Sequence, residues 1–409
     1  MENVVVVGSS LAGLRAAENL RTLGFGGVIT VVGAERHLPY DRPPLSKKFL
    51  AGEWQLEQIA LRKPEMLGEL NLALRLGSPA MSLDTVTRSV TLGDGEVLHY
   101  DGLIIATGAS CRPLPNAPAL AGMHELRTLD DSLSLRADLE SRNTPGRLVV
   151  IGAGFIGLEA AATARRAYGC EVTVLEGLAA PLVRALGPEL GNAIAAVHAD
   201  HGVEVRCGVQ VAGIEGNGTS VSGVRLGDGS LITADVVLVG IGVVPNTGWL
   251  EGSGLELRDG VVCDATLNTG VAGVYAAGDL VRWPNALFGE EMRVEHWTTA
   301  SEQGAAAAAN LLATSRGEPA TPFTTVPFFW SDQFDTRIQY LGRGSGDDEV
   351  SIVAGSVDER RFVALYGSKG KLRAALGVSM PKVVMPFRKL LAEQASWDEA
   401  LAFAAERAG

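Results

Sequence analysis

Residues 148–176 read LVVIGAGFIGLEAAATARRAYGCEVTVLE: a short apolar run, a glycine-rich turn, an alanine-rich segment and a second apolar run that ends in an acid. The first run is typical of a buried parallel strand. Gly152, Gly154 and Gly157 complete a GxGxxG pattern, which permits a tight turn, the approach of a pyrophosphate and close helix packing. The pattern predicts a dinucleotide-binding unit whose helix, over 158–168, points its N-terminus at the phosphates.

The acid at the end of this stretch sharpens the prediction. Glu176 follows the second apolar run, where a carboxylate can bind both hydroxyls of an adenosine ribose. The same charge repels a 2′-phosphate, so we expect NADH to be preferred to NADPH. A glycine-rich packing turn in an ordinary α/β unit is the competing interpretation, and the flanking strand, helix and acid count against it.

The amino-terminal residues repeat this design. An apolar strand at 3–7 leads into the turn GSSLAG at 8–13, a helix at 14–24, a second strand at 27–32 and then Glu35. Ser10 stands where the second glycine is usual, which leaves the geometry of this turn open. An internal repeat of such units predicts two dinucleotides.

A proline-stiffened loop follows, LPYDRPPLSK at 38–47. It presents Arg42 and Lys47 from a firm backbone, where they can meet a pyrophosphate or the negative charge of a reduced flavin. A surface loop with solvated charges is the alternative. Residues 71–91 contain short alternating runs, around Ala80 and at 86–91, that predict a β-meander.

Predicted strands at 103–105, 235–240 and 274–277 end in small residues, at the edge where α/β sheets bind ligands. Asp279 could accept hydrogen bonds from a ribityl chain or cap the next helix. Gly242 would let the backbone pass close to a nicotinamide. The other candidates at this edge are Ala106, Thr107, Gly108 and Gly278.

Composition excludes several classes of function. The 409 residues suffice for two or three domains, and a net charge of −12 argues against nucleic acid as a partner. No apolar run is long enough to span a membrane and no signal peptide is recognisable, so we expect a cytoplasmic protein. The four cysteines form no CxxC, which argues against zinc, a cysteine-ligated iron–sulfur cluster and a local redox disulfide.

Several ordered motifs together resemble the FAD-dependent NADH:ferredoxin reductases of bacterial monooxygenase and aromatic-ring dioxygenase systems, of the putidaredoxin reductase and biphenyl dioxygenase reductase type. The motifs are LPYDRPPLSK (38–47), LIIATG (103–108), IGAGFIGLE (151–159), LVGIGVVPN (238–246), VYAAGDL (274–280) and FWSDQFDTRIQYLG (329–342).

The resemblance implies an α/β fold with two Rossmann-like dinucleotide-binding domains, for FAD and NAD as in glutathione reductase, and a small C-terminal α+β domain. The predicted domains are FAD-binding at 1–114 and 245–320, NADH-binding at 115–244, and C-terminal at 321–409. A C-terminal helix is expected from about Trp397.

The motifs and the resemblance together imply the following sites. FAD contacts are expected at Gly8, Ser10, Ala12, Gly13, Ala34, Glu35, Arg42, Lys47, Ala80, Ala106, Thr107, Gly108, Arg127, Gly278, Asp279 and Trp297. NAD contacts are expected at Gly152, Gly154, Phe155, Ile156, Gly157, Glu159, Glu176, Arg184 and Gly242.

The resemblance also implies catalytic roles. In the family a lysine like Lys47 pairs with a glutamate like Glu159 near the reactive edge of the flavin, and an aromatic residue matching Trp330 lies beside the isoalloxazine. For Trp330 a core position in the small domain is the alternative, and the polar residues that follow it count against that position. The expected reaction is hydride transfer from NADH to FAD, followed by single-electron transfer to a [2Fe–2S] ferredoxin.

Three other functions remain open. A rubredoxin reductase or a nitrite reductase component would share the fold and differ in the acceptor. A flavoprotein like apoptosis-inducing factor would sense NADH and signal by binding. A disulfide reductase is disfavoured because residues 36–50, where its two close cysteines belong, contain none.

The C-terminal segment suggests how a partner docks. Residues 320–409 hold eleven Lys and Arg against eleven Asp and Glu, so the rest of the chain carries the whole negative charge. This domain could therefore offer a relatively basic face to an acidic ferredoxin in a transient, electrostatic complex. Lys369, Lys371 and Arg373 are the predicted docking residues.

Overall fold

The computed structural model describes residues 1–141 and 146–408. Residues 142–145 and Gly409, which fall in the predicted NADH-binding and C-terminal domains, lie outside the described residues. No helix within the described ranges is both long enough and apolar enough to cross a membrane.

The helices of the described ranges are α1 Leu11–Thr22, α2 Leu56–Ile59, α3 Pro64–Glu69, α4 Leu129–Glu140, α5 Phe155–Tyr168, α6 Val183–Asp200, α7 Trp297–Ser315, α8 Pro381–Val384, α9 Phe387–Ala392 and α10 Trp397–Ala408. Short 3-10 helices cover Pro43–Ser46 and Gly248–Leu250.

The strands of the amino-terminal half are β1 Asn3–Val7, β2 Val28–Gly33, β3 Leu72–Leu76, β4 Ala80–Asp84, β5 Ser89–Leu92, β6 Val97–His99, β7 Gly102–Ile105, β8 Ala109–Cys111, β9 Met123–His124, β10 Arg147–Ile151, β11 Glu171–Glu176 and β12 Glu204–Cys207. The remaining strands are β13 Val211–Asn217, β14 Ser220–Leu226, β15 Leu231–Thr233, β16 Val236–Val239, β17 Val243–Pro245, β18 Val261–Val262, β19 Val274–Ala276, β20 Val281–Asn285, β21 Glu290–Met292, β22 Phe328–Gln333, β23 Thr336–Gly342, β24 Glu349–Ser356, β25 Arg361–Ser368 and β26 Lys371–Val378.

The contacts divide the chain into two compact units. The first comprises residues 1–41, 56–110 and 244–328, and the second comprises 42–55, 111–243 and the chain from 329 onward. The three-domain boundaries derived from the sequence stay predictions.

The centre of the first unit is a parallel sheet in the order β19-β7-β1-β2-β3. The valine run of β1 is buried, as expected for a strand covered on both faces. At the start of residues 71–91, β3 pairs in parallel with β2 and so does not belong to the predicted meander. The rest of that stretch, β4 and β5, forms an antiparallel sheet with β6. A Cβ on Gly304 of α7 would lie 2.2 Å from the carbonyl oxygen of Ala12, so α1 and α7 touch along their backbones.

The second unit contains a parallel sheet of the same design, in the order β12-β11-β10-β16-β9. As β1 is flanked by β2 and β7, so β10 is flanked by β11 and β16. The face of this sheet is buried against the antiparallel strands β13-β14-β15, where Val149 and Val237 share one apolar cluster with Val224 and Leu226. The two glycine-rich turns therefore follow equivalent strands of two equivalent sheets.

The second unit also holds the sheet β22-β23-β26-β25-β24 with α8, α9 and α10. The hydroxyls of Tyr340 and Tyr366 donate to the carbonyls of Ala185 and Leu186 at 3.3 and 3.1 Å. Burial raises the pKa of both phenols, so they stay protonated donors. These bonds fasten the sheet to α6 beside a kink at Gly187, whose φ is 77°.

Candidate functional site

The turn after β1 has the backbone of a dinucleotide-binding loop. Gly8 has a φ of +123°, and a Cβ there would lie 2.0 Å from the carbonyl oxygen of Ala106 at the end of β7. A Cβ on Gly13 would lie 1.8 Å from the carbonyl oxygen of Gly8, so only glycine lets α1 pack on the turn. Ser10 caps α1 with an extended backbone and without a side-chain bond, which leaves the first amides of the helix to an anion.

A buried donor lies beside Gly278, which follows β19. The N–H of Gly278 donates to Oε1 of Gln303 at 2.9 Å, and a Cβ on this glycine would lie 3.2 Å from Cβ of Ala12. Gln303 is 1 % exposed, and its Nε2 has no hydrogen-bond partner within the described residues. A buried donor without a partner, at the carboxyl end of a parallel sheet, indicates a polar ligand. The first unit therefore fits a dinucleotide such as FAD.

Two aromatic side chains of the first unit donate hydrogen bonds to carboxylates. The hydroxyl of Tyr40 donates to the carboxylate of Glu35, which follows β2 beside the exposed Ala34. Trp297 begins α7, and its indole Nε1 donates to Oδ1 of Asp41 at 2.6 Å. Both bonds fix side chains that the sequence could place only on loops.

The remaining predicted FAD contacts fall in both units. Those of the first unit are Ala80 in β4, Thr107 and Gly108 after β7, and Asp279 after Gly278. Ala80 belongs to the separate antiparallel sheet and is not at the carboxyl edge of the parallel one. Those of the second unit are Arg42, Lys47 and Arg127, of which Arg42 donates through Nη1 to the carbonyl of Arg127 at 2.6 Å.

The turn after β10 repeats the first one. Gly152 has a φ of +106°, and a Cβ there would lie 2.3 Å from the carbonyl oxygen of Gly240. A Cβ on Gly157 would lie 2.4 Å from the carbonyl oxygen of Gly152. Gly154 differs: its φ of −76° suits any residue, and a Cβ there would meet no atom within 4 Å. Neither strain nor packing requires this glycine, so the open space at Gly154 fits a pyrophosphate that approaches the backbone.

Glu176 lies at the end of β11, beside that turn. Its carboxylate accepts the N–H of Ala153 and the N–H of Leu178, both at 2.9 Å. The side chain is partly exposed. These two bonds, one to each oxygen, fix the carboxylate beside the turn, and the ribose contact stays a prediction.

Three of the other predicted NAD contacts follow β10 or β16, and the fourth, Arg184, is on α6. Phe155 and the exposed Ile156 form the first turn of α5. Gly242, after β16, has a φ of +101° and open space where a Cβ would be. Arg184 is exposed on α6, and no hydrogen bond or ion pair within the described residues joins it to the turn.

Lys47 and Glu159, two of the predicted catalytic residues, meet in a buried ion pair. Nζ of Lys47 lies 2.7 Å from Oε1 of Glu159, whose side chain is 2 % exposed. Ser46 donates to Oε2 at 2.5 Å and Ser331 donates to Oε1 at 2.6 Å, so three donors satisfy the carboxylate. Charge-assisted bonds of this kind offset the cost of burying the pair. Sequence reasoning missed Ser46 and Ser331, although Ser46 stands next to Lys47.

Trp330, the third predicted catalytic residue, lies in β22. Ser331, which follows Trp330, is fully buried, and so is Gln333, two residues after Ser331. Successive side chains of a strand alternate between faces, so Trp330 points to the opposite face, where it is half-buried. The polar residues after Trp330 were expected to rule out a core position for it. That inference is wrong, because two of them, Ser331 and Gln333, are themselves buried in the core. The role of Trp330 stays a prediction.

All four cysteines lie in described residues, and none forms a disulfide. Burial raises the pKa of the thiols of Cys111, Cys207 and Cys263. These groups are therefore thiols at neutral pH, whereas disulfide exchange needs a thiolate.

Comparison with known families agrees with this geometry. Residues 2–304 match the family described as pyridine nucleotide-disulphide oxidoreductase, and residues 328–407 match the family described as reductase C-terminal. The second match begins at the first residue of β22, where the C-terminal sheet begins, and residues 305–327 lie between the two matches.

Individual relatives match over nearly the whole chain. Rhodocoxin reductase of Rhodococcus erythropolis is 38 % identical over 393 residues, which cover 96 % of this chain and 90 % of that protein. The ferredoxin–NAD(+) reductase component of the anthranilate 1,2-dioxygenase system of Burkholderia cepacia is 36 % identical, over 96 % of this chain and 95 % of that one. The solved structure of the covalent putidaredoxin reductase–putidaredoxin complex matches with a TM-score of 0.91 and 32 % identity, over 100 % of this chain and 99 % of that chain.

These matches confirm the α/β fold class with two Rossmann-like domains and an α+β domain, and the resemblance to the ferredoxin reductases. The matched turns, the buried ion pair and the C-terminal sheet all lie within the matched ranges. The chain belongs to the pyridine nucleotide-disulphide oxidoreductase family and, within it, groups with the ferredoxin reductases.

Proposed function

We propose that this chain is an NADH-dependent oxidoreductase that holds FAD and delivers electrons to a [2Fe–2S] ferredoxin, which serves a cytochrome P450 monooxygenase or an aromatic-ring dioxygenase. When bound, FAD would supply the chemistry that takes a hydride from NADH and passes the two electrons on singly, which a nicotinamide cannot do. Relatives named as reductases of such systems, at 36–38 % identity over 96 % of the chain, support this proposal.

The buried Lys47–Glu159 pair is the observation that carries the proposal. A disulfide reductase needs two close cysteines in residues 36–50, and this stretch holds none. The loop instead presents an ammonium group 2.7 Å from a buried carboxylate. Such a group would stabilise negative charge on a reduced ring, and residues 36–50 offer no thiol for it to activate.

Each unit would hold one nucleotide. In the first unit, the amides at the start of α1 bind the FAD pyrophosphate, Glu35 or Ala34 binds the ribose, and the free Nε2 of Gln303 donates to a polar group of the cofactor. In the second unit, the amides of residues 154–157 bind the NADH pyrophosphate. Glu176 binds the adenosine ribose and repels a 2′-phosphate.

Lys47, Glu159 and Trp330 would serve the reaction itself. Glu159 orients Lys47, and Lys47 would supply the positive charge that stabilises a reduced ring. Trp330 excludes water and offers electrons an outward route.

Steady-state NADH oxidation by the purified yellow protein tests the proposal. We expect slow turnover alone and strong stimulation by a [2Fe–2S] ferredoxin, and we expect Lys47→Met to reduce the rate with every acceptor. Rubredoxin and a nitrite reductase haem component serve as alternative acceptors in parallel assays.

The acceptor series separates the candidate functions. Preferential stimulation by rubredoxin would replace the ferredoxin assignment with that acceptor. Slow oxidation that no acceptor accelerates would favour an NADH sensor. A colourless protein that does not take up FAD would contradict the whole proposal.

The ferredoxin would dock through charge. Lys369 and Lys371 are exposed at the turn between β25 and β26, and Arg373 follows in β26. Lys369→Glu or Lys371→Glu should weaken coupling to ferredoxin and leave NADH-dependent dye reduction unchanged. Ferredoxin kinetics that do not respond to salt would contradict electrostatic docking.

We also propose that the protein works in the cytoplasm, where its donor NADH is produced. Fractionation of the producing cells, with detection of the protein and its NADH-dependent dye reduction in each fraction, tests this location.

A further inference from the structure

A chain of buried polar side chains leads away from Glu159 within the second unit. Ser331 donates to Oε1 of Glu159 at 2.6 Å, and Nε2 of Gln333 donates to Oγ of Ser331 at 3.0 Å. Nε2 of His198, on α6, lies 2.9 Å from Oε1 of Gln333. Ser331, Gln333 and His198 are each 0 % exposed. Three fully buried polar residues thus connect α6 to the ion pair through β22.

The carboxylate of Glu159 determines the direction of every bond in this chain. A carboxylate only accepts, so the Ser331 hydroxyl donates to it. The oxygen of Ser331 is then the acceptor for the amide nitrogen of Gln333. The amide oxygen of Gln333 therefore faces His198 and accepts from its Nε2.

It follows that His198 is neutral and carries its proton on Nε2. Burial lowers the pKa of this imidazole; the hydrogen bond to Gln333 opposes the shift and the neighbouring His201 adds to it, and the net pKa is lowered. Its Nδ1 is buried and has no hydrogen-bond partner in the described part of the chain, which suits an unprotonated nitrogen. Phe334 packs edge-on against the ring at 5.3 Å between centroids and holds it in place.

We propose that Ser331, Gln333 and His198 are positioning residues that hold the Glu159 carboxylate aimed at Lys47. All three bond dipoles point toward the carboxylate, so each donor strengthens the next. This proposal rests on the proposed function only in the role given to Lys47. The chain of hydrogen bonds from His198 to Glu159 does not depend on that role. A purely structural role would satisfy the same groups without transmitting any change from one end to the other.

A double-substitution experiment tests transmission along the chain. The holoprotein is labelled with ¹⁵N-histidine, and the His198 resonances are assigned with His198→Gln. We expect the Nε2–H tautomer in the unsubstituted protein. Lys47→Met, at the far end, should shift the His198 Nε2 resonance, because the carboxylate loses its counter-charge. In the Ser331→Ala background the same Lys47→Met change should leave that resonance in place.

A second readout concerns the flavin reduction potential. We expect a downward shift that is largest for Ser331→Ala, smaller for Gln333→Met and smallest for His198→Leu. His198→Gln retains a donor, so its potential should stay close to that of the unsubstituted protein and avoid most of the shift expected for His198→Leu. Ser132→Ala is the matched control, because Ser132 is also 0 % exposed but donates only to the carbonyl of Leu45, at 2.8 Å. It should leave both readouts unchanged.

The outcomes distinguish the polarised chain from the proposed function of the Lys47–Glu159 pair. An Nδ1–H tautomer, or a Lys47→Met shift that survives Ser331→Ala, would overturn the polarised chain. Equal shifts of potential in Ser132→Ala and Ser331→Ala would reduce the three residues to a structural role. If Lys47→Met itself changes neither the potential nor hydride transfer, the proposed function of the ion pair fails, whatever the imidazole resonances show.

Discussion

The two dinucleotide turns have nearly the same backbone although their sequences differ. Gly8 and Gly152 both have a left-handed φ, +123° and +106°, and each donates its N–H to the adjacent strand at 2.7 Å. At the next motif position, Ser10 and Gly154 have φ values of −86° and −76°. The second glycine of the motif is therefore not required by conformation, and Ser10 fits the turn without strain.

The helices that follow the turns differ more than the turns do. Arg15 and Glu159 each stand seven positions after the first glycine of their motif. Arg15 is 29 % exposed and pairs with Glu18 on its own helix, whereas Glu159 is 2 % exposed and pairs with Lys47. The repeats thus share what a dinucleotide demands of the backbone and diverge where the second helix contributes Glu159 to the ion pair with Lys47.

Substitution of the last glycine of each motif should have the largest effect. Gly13→Ala and Gly157→Ala place a Cβ 1.8 and 2.4 Å from backbone oxygens, so the helix must move off its strand. We expect each to lower the free energy of unfolding by at least about 3 kcal/mol, with Gly13→Ala the more severe and accompanied by loss of bound FAD. Urea unfolding and the ratio of flavin to protein absorbance measure both effects.

Matched controls are available in both units. Gly26 and Gly213 have no atom within 4 Å of an added Cβ and no left-handed φ. Alanine at either position should keep the unfolding midpoint and the flavin content. If Gly13→Ala behaved like these controls, the close packing of α1 on the turn would be wrong.

Neutralising Glu159 on α5 and Arg15 on α1 should affect stability to different extents. Glu159→Gln weakens three donors in a buried site, and we expect a loss of about 2 kcal/mol of stability. Arg15→Gln removes a partly exposed pair and should cost less than about 0.5 kcal/mol. Urea unfolding of the two variants side by side gives the comparison. Equal losses would mean that Glu159 is no more tightly held than a surface acid.

The turns were predictable from the sequence because their requirements are local. Gly8, Gly152 and Glu176 follow from spacing alone, and α10 begins at the predicted Trp397. The parallel pairing of β3 with β2 was not predicted, because the partner strand lies about forty residues earlier in the chain and nothing local indicates it.

The polar chain behind Glu159 could not be read from the sequence either. Ser331 and Gln333 look like surface residues in FWSDQF, and His198 looks like one of several polar positions on a helix. Their burial depends on which elements pack around them, which is a non-local property. A weak signal was present: polar residues at alternate positions of one strand indicate a shared face, and here that face is buried.

Neutralising Glu176 should change selectivity more than stability. Glu176→Gln removes the charge that repels a 2′-phosphate, and the side chain can still accept the N–H of Ala153. We expect the preference for NADH over NADPH, as a ratio of kcat/KM values, to fall on the order of tenfold, or about 1.4 kcal/mol. Glu171→Gln, at the other end of β11, is the control and should not alter the ratio. A wild-type protein that used both nucleotides equally would contradict the argument.

Exchange of the second motif residues should have the smallest effect on folding, and it tests the comparison most directly. Ser10→Gly gives the first turn the strict motif, and Gly154→Ser gives the second turn the residue of the first. Because both positions have an ordinary φ, and a Cβ at Gly154 meets open space, each change should shift the free energy of unfolding by less than about 0.5 kcal/mol. Gly154→Ser should nevertheless raise the KM for NADH, because the added atoms occupy the space proposed for the pyrophosphate, while Ser10→Gly leaves FAD retention unchanged. A destabilised Gly154→Ser with an unchanged KM would show the reverse: that this glycine serves the fold and not the ligand.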